Sequence, residues 1–150
     1  MLAILVAALC HDVGHDGFNN RYHVVTKSHL YQMYGAEHVQ ENLHAALTLR
    51  QLETPEYDFL TGKLSQSDIR IIKKRMMTSI LFTDMATMQK LRDEFQAHLD
   101  KFGITNTKNR DKLIDTTSPA TVEYSKQLVS SCVLHGCDIS TSLREFDLSA

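Results

Sequence analysis

Apolar residues along this chain recur at helical spacing, and no stretch alternates as a strand would. The run Leu2-Ala3-Ile4-Leu5-Val6-Ala7-Ala8-Leu9 opens the pattern, which predicts helix over residues 2–15. Gly14 and Gly17-Phe18-Asn19-Asn20 then mark a turn or loop. A short helix is expected from Ser28 to Tyr34. An amphipathic one follows from about Glu37 to Glu53, with Val39, Leu43, Ala46, Leu47 and Leu49 at helical spacing. Thr54-Pro55 closes it, because a residue before proline disfavours the helical region. Ser67 reads as the N-cap of the next helix, with Asp68 in its first turn. That helix is expected to reach about Lys101, with a bend near Thr83-Asp84-Met85. Gly103 to Thr117 is polar and turn-rich. Ser118-Pro119 then gives a cap followed by proline at the first helical position, so the last helix runs from Pro119 to about Cys137. The tail after Ser140 carries no stop signal, and the fold class is all-α.

The opening run is too short to span a bilayer, which takes about 20 apolar residues. It has no basic region before it and no small-residue cleavage site after it, so it does not fit a signal peptide. It reads as a buried core helix that delivers polar groups at its end. Met1 has no capping residue before it, and natural helices rarely start uncapped, so truncation at the N-terminus is expected.

A length of 150 residues suits one domain or a piece of a larger one, and 43% hydrophobic residues support a core. A net charge of −2 gives no electrostatic footprint for nucleic acid. The basic run Lys73-Lys74-Arg75 reads as a solvated helix face. Three cysteines, an odd count, suit a reducing cytosol. Cys10 and Cys137 lack paired metal-ligand spacing and read as small core residues.

Candidate chemistry gathers at the ends of two apolar helices. His11 and His15 are four apart and share a helix face, with Asp12 about 100° round the axis from His11. Imidazole suits zinc and other transition ions, and a carboxylate can bridge to a harder ion such as magnesium or manganese. Unpaired charge at the end of an apolar run is costly, which favours a ligand role. Gly14 and Gly17 let backbone approach closely. Asp138 ends the second apolar helix, in Val133-Leu134-His135-Gly136-Cys137-Asp138. One shared metal site is one reading. A helix cap or an arginine partner for Asp138 is the other. His23, His29, His38 and His98 read as surface or packing residues, and His135 as packing or bonding locally.

Residues His11 to Asn20 fit the pattern HDxxHxGxxN, with the aromatic Tyr22 after it. Glu41-Asn42-Leu43-His44 resembles ENHH, Ile80 to Met85 resembles LATDM, and Leu134 to Ser140 resembles LHxxDIS. These segments, in this order, resemble the catalytic domain of class I 3′,5′-cyclic-nucleotide phosphodiesterases, a branch of the HD-type phosphohydrolases. The resemblance covers nearly the whole chain. It implies a compact helical domain over 1–150 with two divalent metals, zinc plus magnesium or manganese. It implies that His11, Asp12 and Asp138 bind the first metal and that Asp12 bridges to the second. His15 and Glu41 would act in catalysis by orienting metal-bound water, backed by Asn20 and His44. Asp84 and Met85 would lie near the substrate, cyclic AMP or cyclic GMP, which is hydrolysed to the 5′-monophosphate. A cytoplasmic setting follows, with no nucleic acid partner and no membrane contact from this segment.

Some family features have no counterpart here. The upstream HNxxH segment, which supplies a further metal-binding histidine and the general acid, would precede Met1. The purine-gripping glutamine and its aromatic clamp would follow Ala150. Leu43 stands for the first histidine of ENHH, and Met88 stands where a histidine often follows TDM. The expectation is therefore a domain truncated at both ends and weakly active or inactive alone. A catalytically dead binding or regulatory remnant is the alternative, and a general HD-type phosphohydrolase acting on another nucleotide is a third reading.

Overall fold

A computed structural model describes residues 1–105 and 107–140, and the tail after Ser140 lies outside them. Every regular element among these residues is helical. The chain divides into two compact units, Met1–Asp84 and Met85–Ala150.

The first unit holds α1 (Leu2–Cys10), α2 (Asn20–Thr26), α3 (His29–Tyr34), α4 (Val39–Leu52) and α5 (Gln66–Leu81). α1 and α4 both pack on α5, and α3 packs on α4. Ala3 and Ala7 form the buried stripe of α1, while Val39, Ala45, Leu52, Leu60, Ile69, Met76 and Ile80 fill the rest of the core. The small side chains at 3 and 7 allow α1 a close approach to its neighbours.

Several expectations change here. α1 stops at Cys10 rather than residue 15, so His11 and Asp12 lie in the turn after it. Leu5 and Leu9 are 56% and 86% exposed, so α1 is not a buried core helix. A helix that is apolar all round can bury only the stripe that neighbouring elements cover. The sequence predicts no helix over residues 20–26, where α2 forms. Asn19 caps it, accepting from the Tyr22 N–H. The cap of α5 is Ser65, not Ser67, since the Ser65 hydroxyl accepts from the Asp68 N–H. Lys74 is exposed as expected, but Lys73 pairs with Glu53 at 3.0 Å.

The buried face of α4 is also rotated from the predicted one. Ala46 is exposed, and the buried positions are Val39, Gln40, His44, Ala45, Thr48 and Leu52. Gln40, His44 and Thr48 stand at i, i+4 spacing, so the helix turns a polar stripe inward.

The single long helix expected after Ser67 is two. α5 ends at Leu81, and α6 (Met88–Phe102) starts after a short 3₁₀ turn at Met85–Thr87. The Thr83 hydroxyl donates to Ile80 O at 2.7 Å and its N–H to the same carbonyl at 3.0 Å, which tightens and ends the helix.

In the second unit α6 packs on α7 (Pro119–Asp138). The loop between them contains a 3₁₀ turn at Arg110–Leu113. Ser118 and Thr121 form a reciprocal capping box with Pro119 at the first position, as the Ser-Pro signal predicts. Leu91 of α6 and Ser125, Leu128, Ser131 and Leu134 of α7 are buried. Asp115 is buried and accepts from Lys101, Thr117 N–H and the Thr117 hydroxyl, which fastens the loop to α6. Cys137 is exposed, not a core residue, and Cys10 and Cys132 are half-buried; all three are free thiols.

Candidate metal centre

The turn after α1 presents its polar groups in fixed tautomers. His11 Nδ1 lies 2.9 Å from Ala8 O, and a carbonyl can only accept, so Nδ1 carries the proton. The ring's other nitrogen, Nε2, faces Asp12 Oδ2 at 3.4 Å and is the atom that a neutral ring could offer to a metal. His44, from the inward face of α4, repeats the arrangement. Its Nδ1 donates to Val13 O at 2.8 Å, and its Nε2 lies 3.9 Å from Asp12 Oδ1. Burial pushes the His44 imidazole below its ordinary value, so it is neutral near pH 7. Two imidazole Nε2 atoms thus flank one carboxylate, which is 68% exposed. Imidazole and carboxylate donors in fixed tautomers suit a transition-metal ion or a mixed pair with a harder one.

His15 stacks on His44 with ring centroids 5.7 Å apart. Its Nδ1 accepts the Gly17 N–H at 2.9 Å, which leaves its proton on Nε2 in the neutral ring. Gly14 adopts φ +76°, and a Cβ there would collide with the Leu47 side chain. Glycine therefore allows the turn to close on α4, as the sequence suggested.

A second layer of bonds ties the loop to the start of α4. Asn20 Oδ1 accepts the Gln40 N–H at 2.9 Å, and Asn20 Nδ2 donates to Glu41 Oε2 at 2.8 Å. Gln40 Nε2 reaches Asp16 Oδ1 at 2.6 Å, Phe18 O at 2.8 Å and His23 Nε2 at 3.1 Å. Burial alone would raise the Asp16 carboxyl, but the Phe18 N–H, Gln40 and His23 together hold it below its ordinary value. His23 Nδ1 meets the Ser28 hydroxyl at 2.9 Å. Sequence reasoning gives no role to Asp16 or Gln40 and reads His23 as a surface or packing residue. The signal that could have found Gln40 is the polar 40-44-48 stripe.

Glu41 is partly buried, and burial followed by the charge of Asp84 raises its carboxyl above 4.5. Asp84 is 8% exposed and meets His38 Nδ1 at 2.8 Å, so it faces another side chain rather than solvent. Met85, the other expected substrate-side residue, is 58% exposed. Asp138 sits at the last position of α7 in the second unit. One turn before it, His135 is 4% exposed with neither ring nitrogen bonded, so of the two expectations, packing or a local bond, it is packing that holds. His23 and His98 are buried packing residues.

The family model described as 3′5′-cyclic nucleotide phosphodiesterase matches residues 1–150, and the chain belongs to that family. It is 28% identical over 149 residues to the mouse high affinity cGMP-specific 3′,5′-cyclic phosphodiesterase 9A, covering 99% of this chain and 25% of that one. It is 34% identical over 146 residues to the Drosophila melanogaster dual specificity calcium/calmodulin-dependent 3′,5′-cyclic nucleotide phosphodiesterase 1, covering 97% and 15%. The crystal structure of the phosphodiesterase domain of Salpingoeca rosetta rhodopsin phosphodiesterase is similar with a TM-score of 0.79 at 26% identity, over 99% of this chain and 41% of that one. The chain thus spans a quarter or less of these two curated relatives.

Proposed function

We propose that this chain supplies the metal-binding part of a centre that hydrolyses a 3′,5′-cyclic nucleotide, cyclic AMP or cyclic GMP, to the 5′-monophosphate. The observation that carries this is the bond from His11 Nδ1 to Ala8 O, which turns its Nε2 toward Asp12 at 3.4 Å. His11 and Asp12 would hold a divalent ion, zinc with magnesium or manganese as its neighbour. Asp138 is assigned as the further ligand on its sequence motif. When bound, such ions offset the negative charge of the phosphodiester and lower the pKa of the attacking water.

The chain's own residues do the rest. His44, held neutral, keeps an imidazole against Asp12 without adding a competing cation. His15 packs on that ring and, with Glu41, would orient the attacking water. Asn20 holds Glu41 and the loop in one geometry. Met85 is open to contact with substrate, while Asp84 would act through the residues it holds. No helix among the described residues is long and apolar enough to cross a membrane, and free thiols favour a cytosolic setting.

The test is hydrolysis by the longest reading frame that carries these residues, with product separated by chromatography. Release of 5′-monophosphate that disappears in Asp12→Asn supports the proposal. No release, or release unchanged in Asp12→Asn, contradicts it.

A further inference from the structure

We propose that His38, Glu41 and Asp84 form a further divalent-cation site of transition-metal character, separate from the His11–Asp12 turn. Each residue offers one ligand atom, and the three atoms lie within 4.8 Å of one another. A bound zinc-class ion sits about 2.0–2.2 Å from nitrogen and oxygen ligands, so its donors stand roughly 3–4 Å apart. The closest pair here, His38 Nδ1 and Asp84 Oδ2, is 2.8 Å apart and shares one proton. An ion bound at His38 Nδ1 would take that proton's place, the neutral ring would carry its proton on Nε2 instead, and the pair would open slightly.

Three further observations favour a cation here. His38 occupies the N-cap of α4 with φ +52°, a left-handed conformation that costs a non-glycine residue energy. It makes no side-chain cap bond, although serine or aspartate would serve that role well. Its ring is instead committed to Asp84, 46 residues away. Second, two carboxylates face each other. The charge of Asp84 raises the Glu41 carboxyl, that of His38 lowers it, and a divalent ion would relieve the repulsion. Third, the site is sheltered without being closed. Asp84 is 8% exposed, while the His38 side chain is 27% exposed. One imidazole with two carboxylates is a donor set for zinc or manganese rather than for calcium, which prefers oxygen alone. An ion would clip the first turn of α4 to the segment that follows α5, and it would fix Glu41 as a carboxylate.

The test is equilibrium dialysis of the 150-residue chain against Zn²⁺, with thermal unfolding in parallel. The wild type should bind one more equivalent than His38→Gln or Asp84→Asn, and Zn²⁺ should raise its midpoint more than theirs. His38→Cys, which restores a zinc ligand, should recover that equivalent. Asp12→Asn should keep it, so loss at the other centre reads out separately. Asp84→Asn can keep a bond to His38 while losing the anionic ligand, so unchanged binding in that variant means an ordinary hydrogen-bonded pair and overturns the proposal. Unchanged binding in His38→Gln overturns it equally. If His38→Gln does not fold, His38→Cys and Asp84→Asn decide between the same outcomes.

Discussion

Asn20 donates its side-chain amide to Glu41 at 2.8 Å, across 21 residues of sequence. Its carbonyl oxygen is already taken by the Gln40 N–H, so the amide can be placed only one way round. Asn20→Asp should cost about 1–3 kcal/mol at pH 7, because a carboxylate then faces the Glu41 carboxylate in a partly buried site. Asn20→Ala should cost less. Urea unfolding measures both. Glu41 already has a raised folded value, so folding favours its protonated form. Stability therefore falls as pH rises from the unfolded value near 4.5 toward the folded one. The gap between Asn20→Asp and Asn20→Ala should close as pH falls below that window.

Gly14→Ala should destabilise by roughly 1–2 kcal/mol, the cost of a left-handed conformation for an L residue. The added methyl also meets Leu47, whose side-chain end can move. Leu47→Ala should therefore relieve part of the penalty in the double variant and leave the conformational part. A double-mutant cycle by chemical denaturation separates the two. Full additivity would mean that the methyl and Leu47 never meet.

Asp115 controls the acid limb of the second unit. Bonds from the Thr117 hydroxyl and N–H, then Lys101, hold its carboxyl at about 2, against an ordinary 3.8. A depressed carboxylate stabilises above its unfolded value, and the contribution is lost as pH falls through the folded one. The window is therefore from about 4 down to about 2. Asp115→Asn should melt earlier than wild type at pH 7 and converge with it near pH 2. A gap that is constant with pH would contradict the assignment.

The helices with chemical punctuation were legible in the sequence. Ser118-Pro119 marks α7, and Ser28 caps α3 through its hydroxyl as the pattern suggests. The break between α5 and α6 was not legible as a full stop, since no glycine or proline marks it. A threonine hydroxyl turning back on Ile80 makes it. α2 was missed because its seven residues, Asn20 to Thr26, carry no clean apolar period. At the site, motif spacing points to His11, Asp12, Asn20 and His44 as candidates. The Asp16–His23–Gln40 network joins three segments, and only folding brings those together. His38 was read as a surface or packing residue, and nothing near it in sequence announces Asp84.

Asp12 and Asp138 are proposed here as metal ligands. Metal content after dialysis tests this most directly, comparing wild type with Asp12→Ala and Asp138→Ala at equal folded concentration. Both variants should hold less metal than wild type, with affinity at the lost equivalent reduced well beyond the roughly 10–100-fold expected for a merely supporting residue. Equal metal content in all three proteins would contradict it.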